Sequence, residues 1–131
     1  MCLSKAKRIF PEEDIVCYKV LQKTQTYPIR YFSPYYNTKE WTLGKVEALR
    51  KRTDACTVVG CFSSEKLIYG GAYHTYSSLL AAQQFADRFS SLVVVKCIIP
   101  KSSKYVYKGT ISDGKEGFAS QKLKPIKVVY E

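Results

Sequence analysis

The sequence predicts an α+β domain: a mostly antiparallel, curved sheet with one well-defined amphipathic helix over residues 77–89 and one or two shorter helices. Three observations predict it. Runs rich in β-branched and aromatic residues recur between turn signals, at 14–22, 56–62, 92–99, 105–111 and 126–130. One segment has clear helical spacing, with Leu79, Leu80, Ala82, Phe85, Ala86 and Phe89 mainly on one face. That helix lies between two strands and is not one of many alternating with them, which favours an antiparallel sheet over a parallel one.

Each element follows in order. Residues 1–12 are largely polar and contain Pro11, so they read as a loosely held N-terminal arm of a single domain spanning 1–131. The segment from Asp14 to Gln22 is a first strand. Residues 27–36 are rich in tyrosine but carry Pro28 and Pro34, and proline removes a ladder donor, so this is an edge strand or an irregular loop. Leu43, Val46 and Leu49 recur at spacings of three and suggest a short helical turn within 38–52, although Gly44 opposes it. Residues 66–69 suit a short strand, ended by Gly70 and Gly71. Thr75, Ser77 or Ser78 supplies the cap of the main helix, because a hydroxyl there accepts an otherwise unpaired N–H. Pro100 ends the apolar run from Leu92, and Asp113-Gly114 marks a turn before the last strand.

Composition bounds the function. A chain of 131 residues, 46% hydrophobic and 24% charged, is long enough for one core. No apolar run approaches the roughly 18 to 20 residues that cross a bilayer, and no apolar segment follows the N-terminal charges, so a cytoplasmic protein is expected. The cysteines, Cys2, Cys17, Cys56, Cys61 and Cys97, are odd in number and lack C-x-x-C spacing. They read as reduced thiols, with no metal site. The net charge of +10 attracts acidic partners. Between Lys96 and Lys127 there are eight lysines and only two acids, Asp113 and Glu116.

The single histidine, His74, sits in a Gly-preceded, tyrosine-flanked loop opening the helix. Its neighbours are hydroxyls and tyrosines, with no G-x-S-x-G and no phosphate-loop spacing, so no catalytic residue is assigned. Tyr27, Tyr31, Phe32, Tyr35 and Tyr36 lie beside Arg30 and Lys39, and rings interleaved with positive charge stack on bases or dock a protein. The expectation is a small basic binding domain without catalytic activity or cofactor. It recognises an acidic protein or nucleic acid through Tyr31, Tyr35, Lys101, Lys104 and Lys108.

Met1-Cys2-Leu3-Ser4, Val16-Cys17-Tyr18-Lys19-Val20-Leu21 and Val94-Val95-Lys96-Cys97-Ile98-Ile99-Pro100 resemble a group of small uncharacterised proteins of gut bacteria and their phages. That resemblance brings no activity with it. The layout also looks like that of ADP-ribosyltransferase-like proteins and RNA 2′-phosphotransferases: a strand with Tyr-Lys, a Gly-rich turn, a His-Thr-x-Ser segment, then a helix. It implies, as the alternative function, a pocket for NAD or a phosphorylated sugar near Tyr18, Lys19, His74, Thr75 and Ser77. Val20-Leu21 stands where that layout has Gly-Thr, and no Glu-x-Glu pair is present.

Overall fold

The computed structural model describes residues 2–34, 39–48, 68–69, 72–111 and 114–131. Among these are eleven strands: β1 (Cys2–Ile9), β2 (Ile15–Lys23), β3 (Tyr31–Phe32), β4 (Glu40–Trp41), β5 (Glu47–Ala48), β6 (Ile68–Tyr69), β7 (Tyr73–Tyr76), β8 (Leu92–Ile99), β9 (Val106–Ile111), β10 (Glu116–Ser120) and β11 (Lys122–Tyr130). One helix, α1 (Leu79–Ala86), lies between β7 and β8. The expected α+β class with several helices is therefore corrected to a nearly all-β architecture, with a single short helix among the described residues.

The strands run in the order β5-β11-β8-β2-β7-β10-β9-β1-β6, with β3 attached to β2 and β4 to β3. Every pairing is antiparallel. The longest ladder joins β2 to β8, from Ile15 opposite Ile99 to Gln22 opposite Leu92. Only Tyr18 opposite Tyr76 joins β2 to β7.

One junction dictates the shape. Only Gln121 separates β10 from β11, so their ends lie within about 7 Å of each other. In sheet order the same two strands are four positions apart, about 19 Å across a flat sheet. The sheet must therefore curl until β10 and β11 meet at that corner. Ser120 fixes the corner by donating from Oγ to the Lys122 carbonyl at 2.9 Å, and Gln121 N–H reaches the Tyr105 carbonyl at 3.3 Å.

Curling divides the apolar residues between two faces. The inner face holds Cys17, Leu21, Val93, Val95, Cys97, Ile99, Val106, Phe118 and Leu123, with Trp41 from β4 laid over them. The outer face holds Leu3, Val20, Tyr76, Val94, Tyr107 and Ile111, and α1 packs on it through Ala81, Ala82, Phe85 and Ala86. Alternation along β8 separates the two sets, Val93, Val95 and Cys97 going in and Val94 going out.

Several expectations change at the level of elements. The loose arm is instead strand β1, paired along β9, with Leu3 fully buried. The helical turn expected within 38–52 is replaced by β4, a turn at Gly44 (φ +85°) and β5; Val46 is exposed, so the spacing of three marks no helix face there. Leu49 and the run 56–62 lie outside the described residues. The main helix is shorter than 77–89. Ser78 caps it, its Oγ accepting from Ala81 N–H at 3.3 Å. Beyond Ala86 the chain tightens into turns, Arg88 N–H bonding to Phe85 O and Phe89 N–H to Ala86 O, and Phe89 stays exposed. No helix among the described residues is long and apolar enough to cross a membrane.

Candidate anion-binding face

Helix α1 covers only part of the outer face. It packs where Val20 and Val94 project, towards the Leu92 end of β8. From its edge outward, strand alternation and register place Tyr18, half-buried against the outer cluster, and the 45%-exposed Val16 on β2, Lys96 and Ile98 on β8, and Lys124 and Lys127 on β11 together on the same outer surface. Lys96 stands directly opposite Lys127, and Tyr18 directly opposite Lys96. Lys124 lies opposite Ile98, which lies opposite Val16.

The electrostatics of this surface are one-sided. Among the described residues, Lys96, Lys124 and Lys127 have no carboxylate within ion-pair distance, and Tyr18 has no hydrogen bond. Like charges directly opposite on neighbouring strands repel. Water screens that repulsion in the free protein, and a bound anion replaces it with attraction.

The residues singled out in the sequence divide as follows. Tyr18 belongs to this surface. His74 lies in β7, not in a loop as expected; its ring is buried on the outer side and Nδ1 lies 3.1 Å from the Ala72 carbonyl. Lys19 and Thr75 face inward, because each is one residue out of phase with its outward neighbour. Ser77 follows β7 and donates from Oγ to the Glu116 carbonyl at 3.2 Å. Tyr18, Lys19, His74 and Ser77 therefore do not line one cleft. Tyr31 sits in β3 opposite Trp41 and packs on the inner cluster. Tyr35 lies outside the described residues. Lys101 accompanies Asp14, whose Oδ1 accepts its backbone N–H at 2.9 Å. The Lys104 carbonyl receives the Arg8 guanidinium at 2.8 Å, which is held between the Phe10 and Tyr105 rings. Lys108 pairs with Glu116 at 3.5 Å. Lys101 and Lys108 thus have acids close by, whereas Lys96, Lys124 and Lys127 do not.

Sequence reasoning passed over those three lysines individually. Lys124 and Lys127 are three residues apart, which in a regular strand puts them on opposite faces. The ladder is irregular between Pro125 and Lys127, and this restores Lys127 to the outer face.

A different environment surrounds Lys19 on the inner face. Its Nζ donates to the His74 carbonyl at 2.9 Å and lies 5.4 Å from the centre of the Trp41 ring. Desolvation holds its ammonium below the ordinary lysine range. Burial pushes the Cys17 thiol up to about 12, against smaller opposing effects of the Thr75 hydroxyl and Lys19, and raises Cys97 as well. Both thiols therefore stay protonated at neutral pH. Tyr73 meets Trp41 edge-on at 4.9 Å, and burial followed by the Glu47 charge raises its phenol. Among the described residues, no three His, Cys, Asp or Glu side chains converge as metal ligands.

No family model matches this chain, and comparison with curated proteins and with solved structures gave no significant match.

Proposed function

We propose that this chain is a small basic binding domain that recognises single-stranded nucleic acid on the uncovered half of its outer sheet face. The observation that carries the reading is Lys96 directly opposite Lys127, with Tyr18 beside them and no carboxylate paired to either lysine among the described residues. A row of ammoniums on adjacent strands follows a phosphate backbone, and an aromatic ring in the same row stacks on a base. An acidic protein offers charge to the same lysines but gains less from Tyr18.

Fluorescence anisotropy with a labelled oligothymidylate tests this. Combining Lys96→Glu, Lys124→Glu and Lys127→Glu should abolish binding at moderate salt. The matching glutamines should lower the slope of log K against log salt by about 0.7 for each phosphate that is no longer neutralised. Tyr18→Ala should weaken binding by about 1–3 kcal/mol without changing that slope. Charge reversal at Lys101, Lys104 and Lys108 should have the smaller effect. If those three carry the loss instead, the outer face is not the site. If polyglutamate competes as well as the oligonucleotide and Tyr18→Ala is silent, the partner is an acidic protein.

A further inference from the structure

Lys19 projects into the interior of the curled sheet. Its position alternates with the buried Cys17 and Leu21, and it stands opposite the buried Val95 of β8. The groups around its amine are neutral: two protonated thiols, the buried Thr75 hydroxyl and the Trp41 ring. Its side-chain hydrogen bond goes to a carbonyl, and no carboxylate pairs with it among the described residues. Glu47, the acid on this side, is already shared by Lys39 at 2.8 Å and Lys45 at 3.8 Å. Lys39 also reaches the Trp41 ring, at 5.0 Å, so both amines converge on one indole. Two ammoniums around one carboxylate leave a positive charge over at this edge of the site. Lys19 itself keeps part of its surface open to solvent.

We propose that Lys19 is a carbonyl-reactive amine that condenses with a small aldehyde or 2-oxo compound carrying a carboxylate. The Nζ lone pair attacks the carbonyl carbon, and the C=O pair moves to oxygen, which takes up a proton. The carbinolamine then expels water, nitrogen releases its proton, and a C=N bond replaces C=O with no net oxidation or reduction. The ligand's carboxylate faces the Lys39 and Lys45 ammoniums, and its carbon chain lies against Trp41. An ordinary lysine, with a pKa of about 10.4, is free amine in only about one molecule in 2,500 at pH 7. Desolvation of Lys19 enlarges that fraction, as it does for Schiff-base lysines generally. This inference concerns the inner face and is independent of nucleic-acid binding on the outer one.

The test is reductive trapping. The native protein is incubated with glyoxylate and cyanoborohydride at neutral pH, digested, and the carboxymethylation of each lysine is followed by mass spectrometry. Lys19 should be modified about tenfold or more faster than Lys127, and denaturing urea should erase the preference. Lys39→Gln should slow trapping by glyoxylate but not by butyraldehyde. Equal or slower modification of Lys19 in the native protein, or a preference that persists in urea, overturns the proposal. Equal sensitivity of the two aldehydes to Lys39→Gln overturns the assignment of the carboxylate.

Discussion

The Lys19 ammonium donates to the carbonyl of His74 across 2.9 Å, bridging β2 and β7 where those strands share a single register pair. The side chain therefore ties the weakest seam of the central sheet while its charge sits in poorly hydrated surroundings. The two effects have opposite signs, and pH separates them.

Lys19 has a folded pKa below its unfolded value, so the unfolded chain binds more protons between the two. Its destabilising contribution is complete below the folded pKa and disappears as pH rises towards the unfolded value of about 10.4. Urea unfolding followed as pH rises towards that unfolded value should show a gain in stability that is smaller in Lys19→Met. A rise of equal slope in the variant would mean that another group is responsible.

The two inner thiols act in the opposite direction at higher pH. Each has a raised folded pKa, so its contribution is complete below the unfolded value near 9 and is lost as pH climbs through the folded one, about 12 for Cys17. In Lys19→Met, where the opposing lysine effect is gone, stability should fall on going above about pH 9. Neither Cys17 nor Cys97 should react with Ellman's reagent at about pH 8 until the protein unfolds, as peptide mapping of labelled thiols would show.

Gly109 occupies a position that no side chain fits. A Cβ there would fall on the Ser4 carbonyl and lie 3.1 Å from Leu3 Cγ and 3.2 Å from Ala6 Cα. These groups belong to the irregular stretch of β1, where Lys5 takes φ +53° and the register with β9 shifts. Gly109→Ala should cost about 2–3 kcal/mol, seen as a lower urea midpoint at unchanged m.

Ser78 Oγ accepts the Ala81 N–H at the start of α1, whereas Ser77 Oγ points to the Glu116 carbonyl. Ser78→Ala should lose about 1 kcal/mol by thermal or urea unfolding, and Ser78→Asp should retain the cap. Equal losses at Ser77 and Ser78 would show that capping is not the cause.

Much of this was legible locally. The Leu92 to Ile99 run reads as a buried strand because the inner cluster lies beneath Val93, Val95, Cys97 and Ile99, while α1 covers the outer side at the Leu92 and Val94 end. The stripe of Ala82, Phe85 and Ala86 reads as a helix because that face alone meets the sheet. The 38–52 segment misled because Trp41 and Leu43 serve a purpose invisible in local spacing: they fold over the interior of a sheet formed by distant strands. His74 looked like a loop residue for the same reason, since its strand is held mainly by pairing with β10, more than forty residues later, and by a single pair with β2.

Residue order alone established the strand-forming runs at 14–22, 92–99, 105–111 and 126–130, the place of the helix and the excess of lysine in the last third of the chain. Those properties depend on side-chain shape, period and charge, which neighbouring residues reveal. Which lysines act together was settled only when the sheet assembled. Lys96 meets Lys127 through an irregularity at Pro125, and Tyr18 joins them through a ladder closing some eighty residues of chain. Strand parity is local, but register is set by the partner strand. A shift of one residue would have turned the same lysines to the opposite face of the sheet.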